Sequence, residues 1–179
     1  PGKNFSKDRL DIVIKAFANS KSQHNNFTLN IVGLSKDELL KIDTIRDDII
    51  NLDSNLVCFG RVRNEESINI IKKSNLVVFA REINRVSSTG YPTKVFEAFK
   101  YGLPVVTNKT SDIALDLNKS NGFIVDNPDI NEFSTCINKI LSMGIEDLKG
   151  IINNCRNCNP FYYLYYKEET ISFFKKMIR

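Results

Sequence analysis

Five short apolar runs, each followed by a turn and then by a longer amphipathic stretch, set the limits on how this chain can fold. The runs are Leu29–Val32, Leu56–Phe59, Leu76–Ala80, Leu103–Thr107 and Gly122–Val125. They are rich in Val, Ile and Phe and lack strict alternation with polar residues, which is the pattern of strands buried on both faces. Leu10, Val13, Ile14 and Phe17 recur at spacings of three and four and so share one helical face. Ser35 and Glu38 have the spacing of a capping box, opening a helix expected to run to about Asn51. Further helices are expected around Ile68 and Ile71, over Val95–Tyr101, around Phe133, Ile137 and Ile140 or Leu141, and over Thr170–Ile178. Strand and helix in alternation imply a mostly parallel sheet with helices on both faces, a three-layer α/β/α domain. Ligands in such sheets bind at the carboxyl ends of the strands, so function is to be sought in the loops leading into helices.

Composition narrows the remainder. The 179 residues suit one domain, taken as 1–179, and 42% hydrophobic with 26% charged residues is an ordinary globular balance rather than a disordered one. A net charge of +4 is compatible with an anionic ligand but too weak to make nucleic acid the partner. No run approaches the ~18 apolar residues of a membrane span, and no charged-then-apolar leader opens the chain. Cys58, Cys136, Cys155 and Cys158 are too few for a disulfide scaffold, so a cytoplasmic location is expected. His24 is the lone histidine, and no His/Asp/Cys cluster has metal-ligand spacing, so no metal site is assigned. Pro1-Gly2-Lys3 reads as the end of a strand whose beginning is absent, as in a domain excised from a longer protein.

The segment from Leu76 to Val106 carries most of the chemistry. A buried strand ends at Ala80, and a polar loop is expected through Arg81, Arg85, Ser87, Ser88 and Thr89. Gly90 permits a turn or a close approach of backbone to ligand. Pro92 and Thr93 can start a helix, with Thr93 as its cap; Tyr101-Gly102 ends it and Pro104 stops any continuation. A helix start offers free N–H groups and partial positive charge to a phosphate. Glu97, one turn in, can accept hydrogen bonds from two vicinal hydroxyls, as a ribose presents. The same residues also describe a solvated Glu on an ordinary crossover helix.

The stretch Gly90-Tyr-Pro-Thr-Lys-Val-Phe-Glu97-Ala-Phe-Lys-Tyr-Gly102-Leu-Pro104-Val-Val resembles the signature of the group 1 retaining glycosyltransferases. These have the GT-B fold, two Rossmann-like domains facing across a cleft. The resemblance extends through Leu10–Phe17, Leu29–Gly33, Val57-Cys-Phe-Gly60-Arg61-Val62 and Asn121-Gly122-Phe-Ile-Val125, all in the family's order. It implies the Rossmann-like C-terminal half of a GT-B enzyme, binding a nucleotide-diphosphate sugar as donor with no further cofactor. Transfer to a glycan or lipid-linked acceptor would then need an acceptor-binding N-terminal domain that this chain lacks.

The resemblance also assigns residues. Glu97 would hold the ribose hydroxyls, beside Gly90. Thr89 stands where the family often has a first Glu near the donor sugar, so that two-glutamate pattern is incomplete. Lys3, Lys7 and Arg9 are candidates for the cations that neutralise the departing diphosphate, with Lys7 and Arg9 favoured; Asp8 fills one register of that match. Such fixed cations stabilise charge growing on the phosphate oxygens without a metal. Lys94 shares a helical face with Glu97 and reaches either the phosphates or water. Arg61 lies where the family's loop approaches the base, for stacking or phosphate contact. Asn108-Lys109-Thr110-Ser111 replaces the small residues usual around the donor. Arg81 and Arg85 are left between phosphate contact and solubility.

Other features are read more plainly. Cys155-Arg-Asn-Cys158 lacks a second ligand pair and is taken as two ordinary thiols. The Asn-x-Ser/Thr matches at Asn4, Asn26, Asn108 and Asn118 are chance in an Asn-rich chain. Phe161-Tyr-Tyr-Leu-Tyr-Tyr166 is read as core packing or docking against a partner domain, with peripheral contact to the inner membrane surface as the sharper reading. Two rival functions stand beside the transferase: a GT-B sugar-nucleotide epimerase and a non-catalytic nucleotide-binding or scaffolding domain, the latter kept by Thr89.

Overall fold

The computed structural model describes residues 8–157 and 159–178. Its strands are β1 (Leu29–Ile31), β2 (Leu56–Cys58), β3 (Val77–Val78), β4 (Val105–Asn108) and β5 (Gly122–Val125). Its α-helices are α1 (Leu10–Ser20), α2 (Lys36–Leu40), α3 (Arg46–Leu52), α4 (Asn64–Lys72), α5 (Arg85–Thr89), α6 (Thr93–Lys100), α7 (Ile113–Asp116), α8 (Ile130–Leu141), α9 (Ile145–Asn157) and α10 (Lys167–Met177). Each of the five apolar runs contains a strand. Among the described residues they form two ladders rather than one hydrogen-bonded sheet: β1 pairs with β2, and β3, β4 and β5 pair in that order. Every pairing is parallel, with Leu29 opposite Leu56, Val77 opposite Val105 and Val105 opposite Gly122.

Side chains alternate across β3 and β4, and this alternation builds the layers. Val106 and Ala80 lie in one core with Leu29 and Ile31, closed by α1 (Ile12, Val13, Ile14, Phe17), by Leu39, Ile49 and Leu52, and by Phe133, Ile137 and Ile140 of α8. Val105 and Phe79 lie in a second core with Val95, Ala98 and Phe99 of α6, Ile113 and Cys155. Both ladders thus wall the first core, and helices cover both faces, giving the Rossmann-like three-layer α/β/α domain.

The expected helix from Ser35 to Asn51 is broken. Its capping box is present in both halves, the Glu38 amide donating to Ser35 Oγ at 3.2 Å and the Ser35 amide to Glu38 Oε2 at 2.7 Å. The chain then leaves the helix at Ile42, passes a 3-10 turn at Asp43–Ile45 and resumes as α3. On a continuous helix Leu39 would point about 80–140° away from Ile45, Ile49 and Leu52, at roughly 100° per residue. The break lets all four reach the core, where each is fully buried. Arg46 Nε closes it by donating to the Leu40 carbonyl at 2.9 Å.

Two elements differ from the sequence reading near the chain's end. The helix α9, not expected from sequence, carries Cys155 into the second core, where its thiol donates to the Asn121 carbonyl at 3.2 Å. Burial pushes that thiol up to about 11, far from a reactive thiolate. Cys158 lies outside the described residues. Of the aromatic run, only Phe161 packs, against Phe96, Phe99 and Tyr91 with ring centroids 4.4, 5.6 and 5.7 Å away. Tyr162 to Tyr166 are exposed, Tyr163 at 72%, so core packing is corrected for those five. No helix among the described residues is long and apolar enough to cross a membrane.

Candidate functional site

At the carboxyl ends of β3 and β4 the backbone is fixed by one buried side chain. Asn108 accepts from the Arg81 amide at 2.8 Å and donates to the Arg81 carbonyl at 3.0 Å, joining the two strand ends. Arg81 is itself buried, and its guanidinium donates to the Gly90 carbonyl at 2.7 Å. It therefore braces the loop against Gly90.

The loop expected between Arg81 and Thr89 contains the short helix α5. Asn84 caps it: its side chain accepts from the Ser87 amide at 3.0 Å while Ser87 Oγ accepts from the Asn84 amide at 2.9 Å. That reciprocal pattern was visible as Asn-x-x-Ser and is a capping signal the sequence reading passed over. Thr89 ends α5, and its hydroxyl donates back to the Arg85 carbonyl at 3.0 Å. Gly90 follows in extended backbone, φ −105°, so it makes no left-handed turn. Its close approach is to protein, since a Cβ there would stand 3.1 Å from the Val86 carbonyl oxygen.

Thr93 is the first residue of α6 rather than its cap; Pro92 holds the cap position without a side-chain bond. The fixed φ of Pro92 and its lack of an N–H suit a helix start. The far end is closed as expected: Gly102 takes φ +69°, the Gly102 amide reaches the Phe99 carbonyl and the Leu103 amide the Ala98 carbonyl, each at 3.0 Å. Val95, Ala98 and Phe99 face the second core, which turns Glu97 to solvent. Glu97 makes no hydrogen bond or ion pair with the described residues, so its carboxylate is available to hydroxyls.

Lys94, one turn before Glu97, makes a 2.7 Å ion pair with Asp8, 86 positions away. This contact brings the loop before α1 to the start of α6. Next to it, Arg9 grips Asp11 through two bonds, Nε to Oδ1 at 3.0 Å and the second nitrogen to Oδ2 at 2.9 Å. That bond raises the guanidinium further above its ordinary value, with Glu82 adding to the effect. Arg9 itself caps α1 in left-handed backbone, φ +35°, ψ +52°. Lys7 and Lys3 lie outside the described residues.

The structure thus joins Asp8, Arg9 and Lys94 and leaves Arg61 apart. Arg61 is exposed beyond Gly60 at the end of the other ladder, close enough to lower the Glu38 carboxyl, whose larger causes are its Ser35 bonds. Thr107 within β4 and Thr110 and Ser111 in the loop after it have buried hydroxyls with no partner among the described residues. An open groove of about 600 Å³ lies beside α10, lined by Phe161, Tyr163, Tyr166, Lys167, Thr170 and Ile171, and includes none of the residues above. Among the described residues no cluster of three metal-ligating side chains occurs.

Comparison with known proteins gives this geometry a context. The family model described as glycosyl transferases group 1 matches residues 2–157. The C-terminal domain of a glycosyl transferase group 1 family protein from Francisella tularensis has a TM-score of 0.70 at 15% identity, over 88% of this chain and 80% of its own. The pneumococcal O-GlcNAc transferase GtfA, solved with UDP and GlcNAc, has a TM-score of 0.68 at 14% identity over 96% of this chain. HepE from Anabaena, solved with UDP-glucose, has a TM-score of 0.65 at 18% identity over 93% of this chain. This chain spans 34% of the length of GtfA and 44% of HepE. A comparison with curated proteins finds no match.

Proposed function

Because this chain belongs to the group 1 glycosyl transferases, we propose that it is the half of a GT-B enzyme that binds a nucleotide-diphosphate sugar. Glu97 carries the reading. It is exposed and without a partner among the described residues, one turn into α6 and beyond a strand end, where a carboxylate can accept from both hydroxyls of a ribose. Lys94 on the same helix and Arg9 at the start of α1 supply positive charge for the diphosphate, with Lys7 as the further candidate. As the bond to the sugar breaks, negative charge grows on the phosphate oxygens, and fixed cations aimed there lower the barrier without a metal. Retention at the sugar, hexosyl transfer and a glycan or lipid-linked acceptor complete the proposal. The acceptor would sit on a second domain, across the cleft from α6, in a protein working at the cytoplasmic side of a membrane.

GtfA and HepE, which share the fold, were solved with UDP and UDP-glucose, which supports uridine nucleotides as the first ligands to try. The test is a thermal-shift panel of UDP, GDP, ADP and CMP with their sugar conjugates, on wild type and Glu97→Ala. One nucleotide that raises Tm of the wild type alone supports the site, because a ligand stabilises only the state it binds. Equal shifts for both proteins would remove Glu97 from it. A non-catalytic nucleotide-binding domain is the second reading, favoured by the Thr89 hydroxyl, which bonds back to its own helix where a charged group would face the sugar.

A further inference from the structure

The two cations that the nucleotide reading places near the diphosphate, Lys94 and Arg9, stand at helix N-termini, as Lys36, Arg46, Arg85 and Lys167 also do elsewhere in this structure. Lys94 is the second residue of α6, whose first turn has no acidic residue, and Arg9 caps α1. Lysine and arginine are favoured at the opposite, negative end of a helix. Each of Lys94 and Arg9 is answered by an aspartate of the same short segment. Asp8 holds Lys94 at 2.7 Å, their side chains 24% and 35% exposed, and Asp11 holds Arg9 at 2.9 Å.

We propose that this site is closed by its own carboxylates, with Asp8 holding on Lys94 the charge that a phosphate of the nucleotide must take. The proposal rests on the nucleotide-binding reading above and adds to it a regulated, self-occupied state. Binding is then an exchange of anions: the diphosphate displaces Asp8 from Lys94, and the freed carboxylate turns to water. Asp8 is suited to this because it precedes α1, so it can leave without disturbing a helical turn. Its contact with Lys94 is the only ion pair among the described residues that joins the start of α1 to the start of α6. A nucleotide's charge therefore meets repulsion from Asp8 before it meets attraction from Lys94. Affinity in the wild type is set by the difference between the two.

The experiment is calorimetric titration of UDP, with GDP and ADP in parallel, into wild type, Asp8→Asn, Asp8→Glu, Lys94→Gln and Glu97→Ala at low ionic strength. Asp8→Asn keeps the shape and removes the competing charge, so its Kd falls by about two- to fivefold, the upper part of the range of a partly exposed charge pair. Asp8→Glu, which keeps the competing charge, stays near wild type, and Lys94→Gln binds more weakly than wild type. Asp8→Ala moves affinity in the same direction as Asp8→Asn and replaces it should that variant fail to fold. If Asp8→Asn binds as wild type or more weakly while Glu97→Ala still abolishes binding, Asp8 is a prop for Lys94 and the proposal falls, with the nucleotide site intact. If no nucleoside diphosphate binds to wild type or to any Asp8 variant, the nucleotide reading falls and this one with it.

Discussion

Asn108 is the residue on which the strand ends most directly depend. It is fully buried and holds both the amide and the carbonyl of Arg81. Removing it leaves two buried backbone groups unpaired, so Asn108→Ala should cost about 2–3 kcal/mol in urea unfolding. Two thiols make a separate prediction. Burial pushes Cys136 and Cys155 each up to about 11 from an ordinary value of 9.0. The folded state therefore keeps these protons after the unfolded chain has lost them. Their contribution to stability is complete below pH 9 and is lost as pH rises toward 11. Urea midpoints should fall across that window, and Cys136→Ala should flatten the fall. At this scale the sequence reading nominates Glu97 and Lys94 from a motif and helical spacing. It could not find the Asp8–Lys94 pair, because a contact between residues 86 apart follows from tertiary packing alone. It left Arg81 open for the same reason: its role depends on a carbonyl nine residues on that only the folded loop brings near.

Elements were more legible than contacts. Val/Ile-rich runs marked the five strands among the described residues, and Gly102 with Pro104 marked the end of α6, since each signal is local. The α2–α3 break was not legible as a break, because capping and periodicity both continue across it and only the shared core demands the turn. The helix α9 escaped because its sequence is mostly polar, with Cys155 its one fully buried residue. The cap of α8 tests how much such local chemistry contributes. Asp129 accepts from the Asn131 and Glu132 amides at 2.8 and 3.1 Å. Asp129→Ala should destabilise by about 1 kcal/mol, read as a lower urea midpoint with unchanged slope.

For the whole molecule, the two cores hold the fold and the last helix does not. Every described residue of α10 is exposed, whereas Phe161 packs on Phe99 and Tyr91 of the second core and on the Phe96 ring beside them. Deleting residues 167–179 should leave Tm within about 2 °C, while Phe161→Ala should cost about 2 kcal/mol by emptying a packed position. Layer order was legible at this scale from alternation of strand and helix. The division of the sheet into two ladders was not, because register and pairing are invisible in buried runs without polar alternation.

β4 carries one more consequence. Val105 and Val106 belong to opposite cores, so a strand of four residues is the party wall of both. Neither side can melt and leave the other standing, and hydrogen–deuterium exchange at the β4 amides should proceed only through global opening, slowest in the protein. A cavity on one side should be felt on the other: Val105→Ala and Val106→Ala combined should depart from the sum of their separate effects, unlike a pair of substitutions placed far apart.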